Sequence, residues 1–211
     1  GGKYLLCASP ERFLKRKGDQ ILSQPIKGTA ARDPYNKKHD EELRKELMNS
    51  EKDRAENVMI VDLVRNDLSR ICRANSVKVE ELFGIYSFPQ VHQMISTIQG
   101  RLKEGLDWTE MIAATFPMGS MTGAPKKRAL ELTEQYEKSK RGLFSGAVGY
   151  VNPNRDFDFN VVIRSLLYNQ PDRYLACFAG SAITGNSDPE KEYEECIVKM
   201  SAMEAILKNP G

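Results

Sequence analysis

No stretch of this 211-residue chain approaches the roughly 18 consecutive apolar residues that a membrane-spanning helix needs. The longest candidate, Asn57–Val64, is broken by Asp62. No membrane association is therefore expected. Charge of one sign is also missing. Lys and Arg number 31 against 29 Asp and Glu, a net +2, so no strong field points to a nucleic-acid partner. The four cysteines, Cys7, Cys72, Cys177 and Cys196, form no CxxC pair and sit in mostly apolar surroundings. That argues against a zinc site and for buried free thiols in a reducing compartment, so a cytoplasmic location is expected. The chain starts Gly-Gly-Lys-Tyr and is read as having no secretory leader. The GxxxxGK[ST] phosphate loop, internal repeats and low-complexity linkers are likewise missing. A length of 211 residues allows one large domain or two small ones.

The pattern that is present alternates strands and helices. Lys3–Ala8 reads as a strand, and Gly18–Asp19 as a hairpin turn whose returning strand, Ile21–Ile26, delivers Lys27. Arg32–Asp40 reads as an exposed loop. Helical spacing begins at Glu41, and Ser50 with Asp53 resembles a capping box that opens a second helix running to about Arg70. Ser76–Leu82, Gly84–Ser87 and His92–Gln99 read as extended. Leu106–Phe116 and Pro125–Tyr136 read as helices, the latter with proline in its first turn. Leu143–Val151, Phe157–Leu167 and Tyr174–Ala179 are rich in β-branched and aromatic residues and suggest consecutive antiparallel strands. Pro189 opens a closing helix to about Leu207. The fold class expected is α+β.

Four features carry chemical interest. Lys27 lies in "SQPIKGTAAR", either a solvated loop lysine or a nucleophile held where a substrate lands. Asp53 with Glu56, and Glu192 with Glu195, are carboxylate pairs three residues apart, each on one face of a helix. Such pairs are common on solvated helix faces. Should the two faces meet, crowded hard-oxygen ligands suit magnesium. "FPMGSMTGAPKKRA" and "FAGSAITGNSD" are small-residue turns able to present backbone amides to an anion, although tight connections often look the same. Arg164, in the apolar run "VVIRSLL", is expected to meet a carboxylate, internal or from a ligand.

Taken in order, "ASPERFL", "PIKGTAAR", "DRAENVMIVDLVRNDLSRIC", "GSMTGAPKKRA", "GAVGY", "VVIRS" and "DPEKEYEECIVK" strongly resemble the chorismate-utilising enzymes. That family includes anthranilate synthase component I, aminodeoxychorismate synthase component I, and the isochorismate and salicylate synthases. The resemblance spans essentially residues 1–211 and implies one chorismate-binding catalytic domain of the anthranilate-synthase-like fold, with antiparallel sheets flanked by helices. It also implies that an N-terminal segment of that domain lies outside this sequence.

The string PIKGT resembles the aminodeoxychorismate synthase branch, whereas anthranilate synthases carry alanine at the position of Lys27. The implied reaction is amination of chorismate with ammonia to 4-amino-4-deoxychorismate, a p-aminobenzoate and folate precursor. Lys27 would be the nucleophile and Glu11 the proton donor. Magnesium would be held by Glu56 and Glu195, with Asp53 and Glu192 close by. Arg164, Tyr150 and the amides of Gly180, Ser181 and Ala182 would meet the enolpyruvyl carboxylate. Thr29 and Thr122 match substrate-lining hydroxyls, and Lys199 matches a position near the metal. The implied partner is a glutamine amidotransferase that supplies ammonia.

Two departures stand out. Gln93 precedes "MIS" where the family usually has histidine, and a glutamine cannot shuttle a proton. His92, one place earlier, would face the opposite side of a strand and is read as a packed or exposed histidine, a poor substitute. Ala182 stands where glycine is common. The alternatives are anthranilate synthase component I, disfavoured by Lys27, and a non-catalytic chorismate-binding domain.

Overall fold

The computed structural model describes residues 1–185 and 187–208. Among these the order is β1 (Lys3–Cys7), β2 (Arg12–Lys17), β3 (Gln20–Gln24), β4 (Ile26–Ala31), α1 (Lys37–Asn49), α2 (Glu51–Ile71), β5 (Lys78–Ser87) and β6 (Val91–Arg101). There follow α3 (Trp108–Thr115), a 3₁₀ turn (Gly119–Met121), α4 (Lys126–Tyr136), β7 (Ala147–Val151), β8 (Phe157–Val161), β9 (Ser165–Asn169), β10 (Tyr174–Cys177) and α5 (Pro189–Lys208). The chain divides into two compact units. One comprises Gly1–Pro10, Lys140–Val148 and the segment from Val161 onward; the other comprises Glu11–Ser139 and Gly149–Asn160.

The larger unit is built around β6. Strand β3 pairs with Ile98–Arg101 and β4 with Val91–Ile95 along one edge of β6, while β5 pairs along the other. Pro25 separates β3 from β4 because it has no N–H for the ladder, and its carbonyl accepts the Ser96 amide at 3.2 Å. The strand order β4-β6-β3-β2-β8-β7 completes this antiparallel sheet. Against it lies α2. Its buried residues, Asn57, Ile60, Val61, Val64, Asp67, Leu68 and Ile71, recur every three or four positions and form one stripe. Each fully buried aliphatic in that stripe contributes about 1.5–3 kcal/mol. Ser50 caps α2 by accepting the Asp53 amide, as the sequence suggested. Asp107 and Glu110 form a reciprocal capping box on α3.

In the smaller unit, β1 and β10 flank β9, all antiparallel, and α5 carries the closing acidic stretch.

The structure corrects three expectations. Phe157–Leu167 is not one strand: β8 and β9 join different sheets, and the chain turns between them, with Arg164 at φ +49°. Arg164 therefore lies in a bend and not inside an apolar strand. The expected loop Arg32–Asp40 gives way to helix at Lys37, because Asn36 caps α1 by accepting the His39 amide. Finally, Lys27 lies within β4, which runs on to Ala31, rather than in a loop after a strand.

Candidate active site

Lys27 is displayed by an irregularity. The β4–β6 register shifts between Ile26 and Thr29, so Lys27 and Gly28 bulge from the ladder. Gly28 has φ +92°, a conformation that L side chains rarely adopt. A Cβ there would also stand 2.9 Å from Leu47 Cδ1 and 3.1 Å from Asp53 Cβ. The bulge therefore presses onto α1 and α2 only because residue 28 has no side chain. The result is that Lys27 Nζ donates to Glu56 Oε2 at 3.0 Å. The Lys27 side chain is 19% exposed and that of Glu56 12%, so the pair is largely shielded from water. The solvated loop lysine is excluded.

Glu11, just before β2, is buried. It lines a cavity of about 20 Å³ with Asp67, Ser23, Thr115, Gly119 and Ser120. Asp67 sits on the buried stripe of α2, and Lys126, at the start of α4, donates to its Oδ2 at 2.6 Å. Burial raises the Asp67 carboxyl above its ordinary range, and the Lys126 contact opposes that rise. A larger polar cleft of about 300 Å³, lined by Lys78, Glu80, Gln99 and Arg101 among others, holds none of the residues singled out from the sequence.

Thr29 is exposed on β4. The Thr122 hydroxyl turns back to donate to the Met118 carbonyl at 3.1 Å. Tyr150, on β7, is largely exposed. It follows Gly149, where a Cβ would come within 2.1 Å of the Asp158 carbonyl oxygen, so β7 and β8 meet there only because of glycine.

In the smaller unit the glycine-rich turn and α5 are tied together. The Ser181 hydroxyl donates to Glu192 Oε2, and Glu192 is buried, which removes it from the solvated helix face considered above. Lys199 Nζ donates to the Gly180 carbonyl at 3.0 Å and pairs with Glu195 one turn earlier. Glu195 itself is exposed and Ala182 half-buried. Within either unit, among the described residues, no group of three or more His, Cys, Asp or Glu stands ready to hold a metal ion. Each unit by itself offers carboxylate oxygens of the kind magnesium takes, Asp53 and Glu56 in the larger and Glu192 and Glu195 in the smaller. Glu56 and Glu195 share theirs with lysines.

His92 is buried, which decides between the packed and exposed states that the sequence left open. It bridges the Ser87 hydroxyl through Nδ1 at 2.8 Å and Asp40 Oδ1 through Nε2 at 3.1 Å. Arg32 holds the same carboxylate through Nε, and this hydrogen bond brings Asp40 down to about 2. Gln93, on the opposite side of β6, is buried, and its Oε1 has no hydrogen-bond partner among the described residues. All four cysteines are free, but only Cys72 is fully buried, and its thiol is pushed up to about 11 by burial. Cys7 is exposed, contrary to expectation, because it ends β1 on a sheet whose side chains reach solvent.

The profile of the chorismate binding enzymes matches residues 1–205. The chain belongs to this family. Among its relatives is aminodeoxychorismate synthase component 1 of Bacillus subtilis, 41% identical over 97% of this chain and 43% of that protein. The chloroplastic aminodeoxychorismate synthase of Arabidopsis thaliana is 46% identical over 94% of this chain and 21% of that protein. The chain thus spans less than half the length of either relative. A solved structure, anthranilate synthase component I from Streptococcus pneumoniae, is 33% identical, with a TM-score of 0.82 over 96% of this chain and 44% of that one. The α+β chorismate-binding fold is that of the family.

Sequence reasoning missed the Asp67–Lys126 pair and the buried Asn57–Ser96 bond, in which Ser96 Oγ donates to Asn57 Oδ1 at 2.6 Å. Both Asp67 and Lys126 lay inside strings already singled out, "DLVRND" and "GAPKKRA". Their pairing joins residues 59 apart in sequence, so spacing gave no sign of it.

Proposed function

We propose that this chain catalyses the amination of chorismate to 4-amino-4-deoxychorismate, with Lys27 as a covalent nucleophile. The observation that carries the reading is the placement of Lys27. It is shielded and pinned on a strand bulge, and its Nζ is hydrogen-bonded to a carboxylate. Relatives that carry the aminodeoxychorismate synthase name support the same reaction.

The steps balance as two displacements. An amine attacks only when neutral, and Glu56 is the group within reach to accept the proton from Lys27. The Lys27 nitrogen bonds to C2 of chorismate, both conjugated ring double bonds shift one place (C1=C2 to C1=C6, C5=C6 to C4=C5), and the C4–O bond breaks. Glu11 protonates the departing hydroxyl, which leaves as water. Ammonia then bonds to C4, the two double bonds shift back, the C2–nitrogen bond breaks, and Lys27 is released as the excess proton of the new amine is given up. Net, chorismate and ammonia yield aminodeoxychorismate and water.

We take magnesium as the cofactor, with Glu56, Glu195, Asp53 and Glu192 as its holders. Bound there, it would supply positive charge against the substrate ring carboxylate. Arg164, Tyr150 and the Gly180–Ala182 amides are assigned to the enolpyruvyl carboxylate, Thr29 and Thr122 to the substrate wall, and Lys199 to the surroundings of the metal. Ammonia is assigned to a glutamine amidotransferase partner, and the working compartment to the cytoplasm.

The test is mass spectrometry of protein quenched with chorismate and magnesium but no ammonia. An adduct on the peptide containing Lys27 is expected. Normal aminodeoxychorismate formation by a folded Lys27→Ala protein would overturn the reading. Bound but unchanged chorismate in the wild type would favour the non-catalytic binder.

A further inference from the structure

Glu11 is buried beside a second acidic residue, and the space between them has a definite size. The cavity lined by Glu11, Asp67 and Ser120 measures about 20 Å³, room for one water molecule. Its polar lining residues include Glu11, Asp67 and Ser120. Glu11 and Asp67 are both buried carboxyl residues. The Ser120 hydroxyl is buried and has no hydrogen-bond partner among the described residues, although a buried hydroxyl without a partner costs free energy. Ser120 belongs to the 3₁₀ turn Gly119–Met121, which packs so closely on α2 that a Cβ at Gly119 would stand 3.0 Å from Leu63 Cβ. Asp67 is fixed by Lys126 Nζ, which also reaches the Thr115 carbonyl at 3.4 Å. The cavity is of single-water size, and because Phe13, Leu14, Val64, Leu68 and Met118 make up most of its wall, a water there must lean on these few polar groups.

We infer that this cavity is a water site, and that the water, held by Ser120 and the Asp67–Lys126 pair, positions the carboxyl of Glu11 for proton donation. The inference rests on the reading of Glu11 as the proton donor given above. Ser120, Asp67 and Lys126 are positioning residues; they act through the water and Glu11 and do not touch substrate. The pair also sets the local field. Asp67 and Lys126 together place almost no net charge beside Glu11, so its proton is not driven off by an unopposed ammonium. The upward shift of Asp67 by burial agrees with a site poor in bulk water.

The experiment has two arms on the full chain. A high-resolution crystal structure should contain one ordered water within hydrogen-bond distance of Ser120 Oγ and of the Glu11 carboxyl. In kinetics, Ser120→Ala should lower kcat about tenfold with KM within about twofold, because a proton-donation defect is felt in the transition state. Asp67→Asn leaves Lys126 unopposed, so the alkaline limb of its kcat profile should move about one pH unit lower. A dry cavity, or a folded Asp67→Asn protein whose alkaline limb does not move, overturns the inference. Should Asp67→Asn fail to fold, an unchanged kcat in Ser120→Ala overturns it instead. If the wild type forms no aminodeoxychorismate, the proposed function falls, while the crystallographic arm still decides whether the water site exists.

Discussion

Lys27 reaches Glu56 from a strand bulge to the second turn of α2, Nζ to Oε2, across 3.0 Å. The contact couples the nucleophile assigned here to one of the carboxylates assigned to the metal. Charge and chemistry at position 27 can therefore be separated by substitution. Lys27→Arg keeps a cation beside Glu56 but cannot become a neutral amine near neutral pH. It should leave the denaturation midpoint close to wild type while turnover falls by at least about a thousandfold, on the order of 4 kcal/mol of barrier. Urea unfolding and product assay on the same preparation check this. Retained turnover would show that position 27 needs only positive charge.

Gly28→Ala should be costly although it adds one methyl. The left-handed conformation alone costs about 1–2 kcal/mol for a residue with a Cβ. The new atom would also meet Leu47 and Asp53. Unfolding experiments should read a loss of at least that size, and turnover should fall with it because Lys27 is carried by the same bulge. A stable and fully active variant would mean that the bulge relaxes without moving the amine.

Glu195→Gln tests the metal assignment. Magnesium affinity measured by calorimetry in the presence of chorismate should weaken by at least about tenfold, and turnover should fall in parallel. Unchanged affinity would leave Glu195 simply as the partner of Lys199 on an exposed helix face.

Gln93→His restores the side chain usual in the family. With Lys27 and Glu11 present, the rate should stay within about tenfold of wild type, about 1.4 kcal/mol of barrier. A gain of several hundredfold would show that the natural glutamine impairs catalysis and would favour the binding-domain alternative.

The Asp40 carboxylate, tied to Arg32 and His92, gives a signed pH dependence. Its folded value of about 2 lies below the ordinary 3.8, so it stabilises the fold above the ordinary value. That contribution is lost as pH falls from about 4 through about 2. Asp40→Asn should make the decline of the urea midpoint over this interval shallower than in wild type. An identical slope would place the acid sensitivity elsewhere.

The periodic elements were legible in the sequence because their causes are local. The α2 stripe follows helical spacing, and Ser50 caps that helix through a residue three positions on. Lys27, Glu11 and the carboxylate pairs were picked out as candidates through contiguous strings. Long-range decisions were not. Nothing local shows that "VVIRSLL" turns at Arg164 to feed two sheets, since each half alone is a good strand. Nor does spacing distinguish Glu192, buried against Ser181, from Glu195, exposed one turn later.

The sequence by itself determined the residue types, their order and the family to which they belong, because motif identity is written in adjacent side chains. Only the tertiary structure decided which lysine is shielded, which carboxylate it meets, and that Asp67 and Ser120 stand around Glu11. Those relations join residues tens of positions apart. They are set by packing of α2 on the sheet and by close approaches that glycine alone permits.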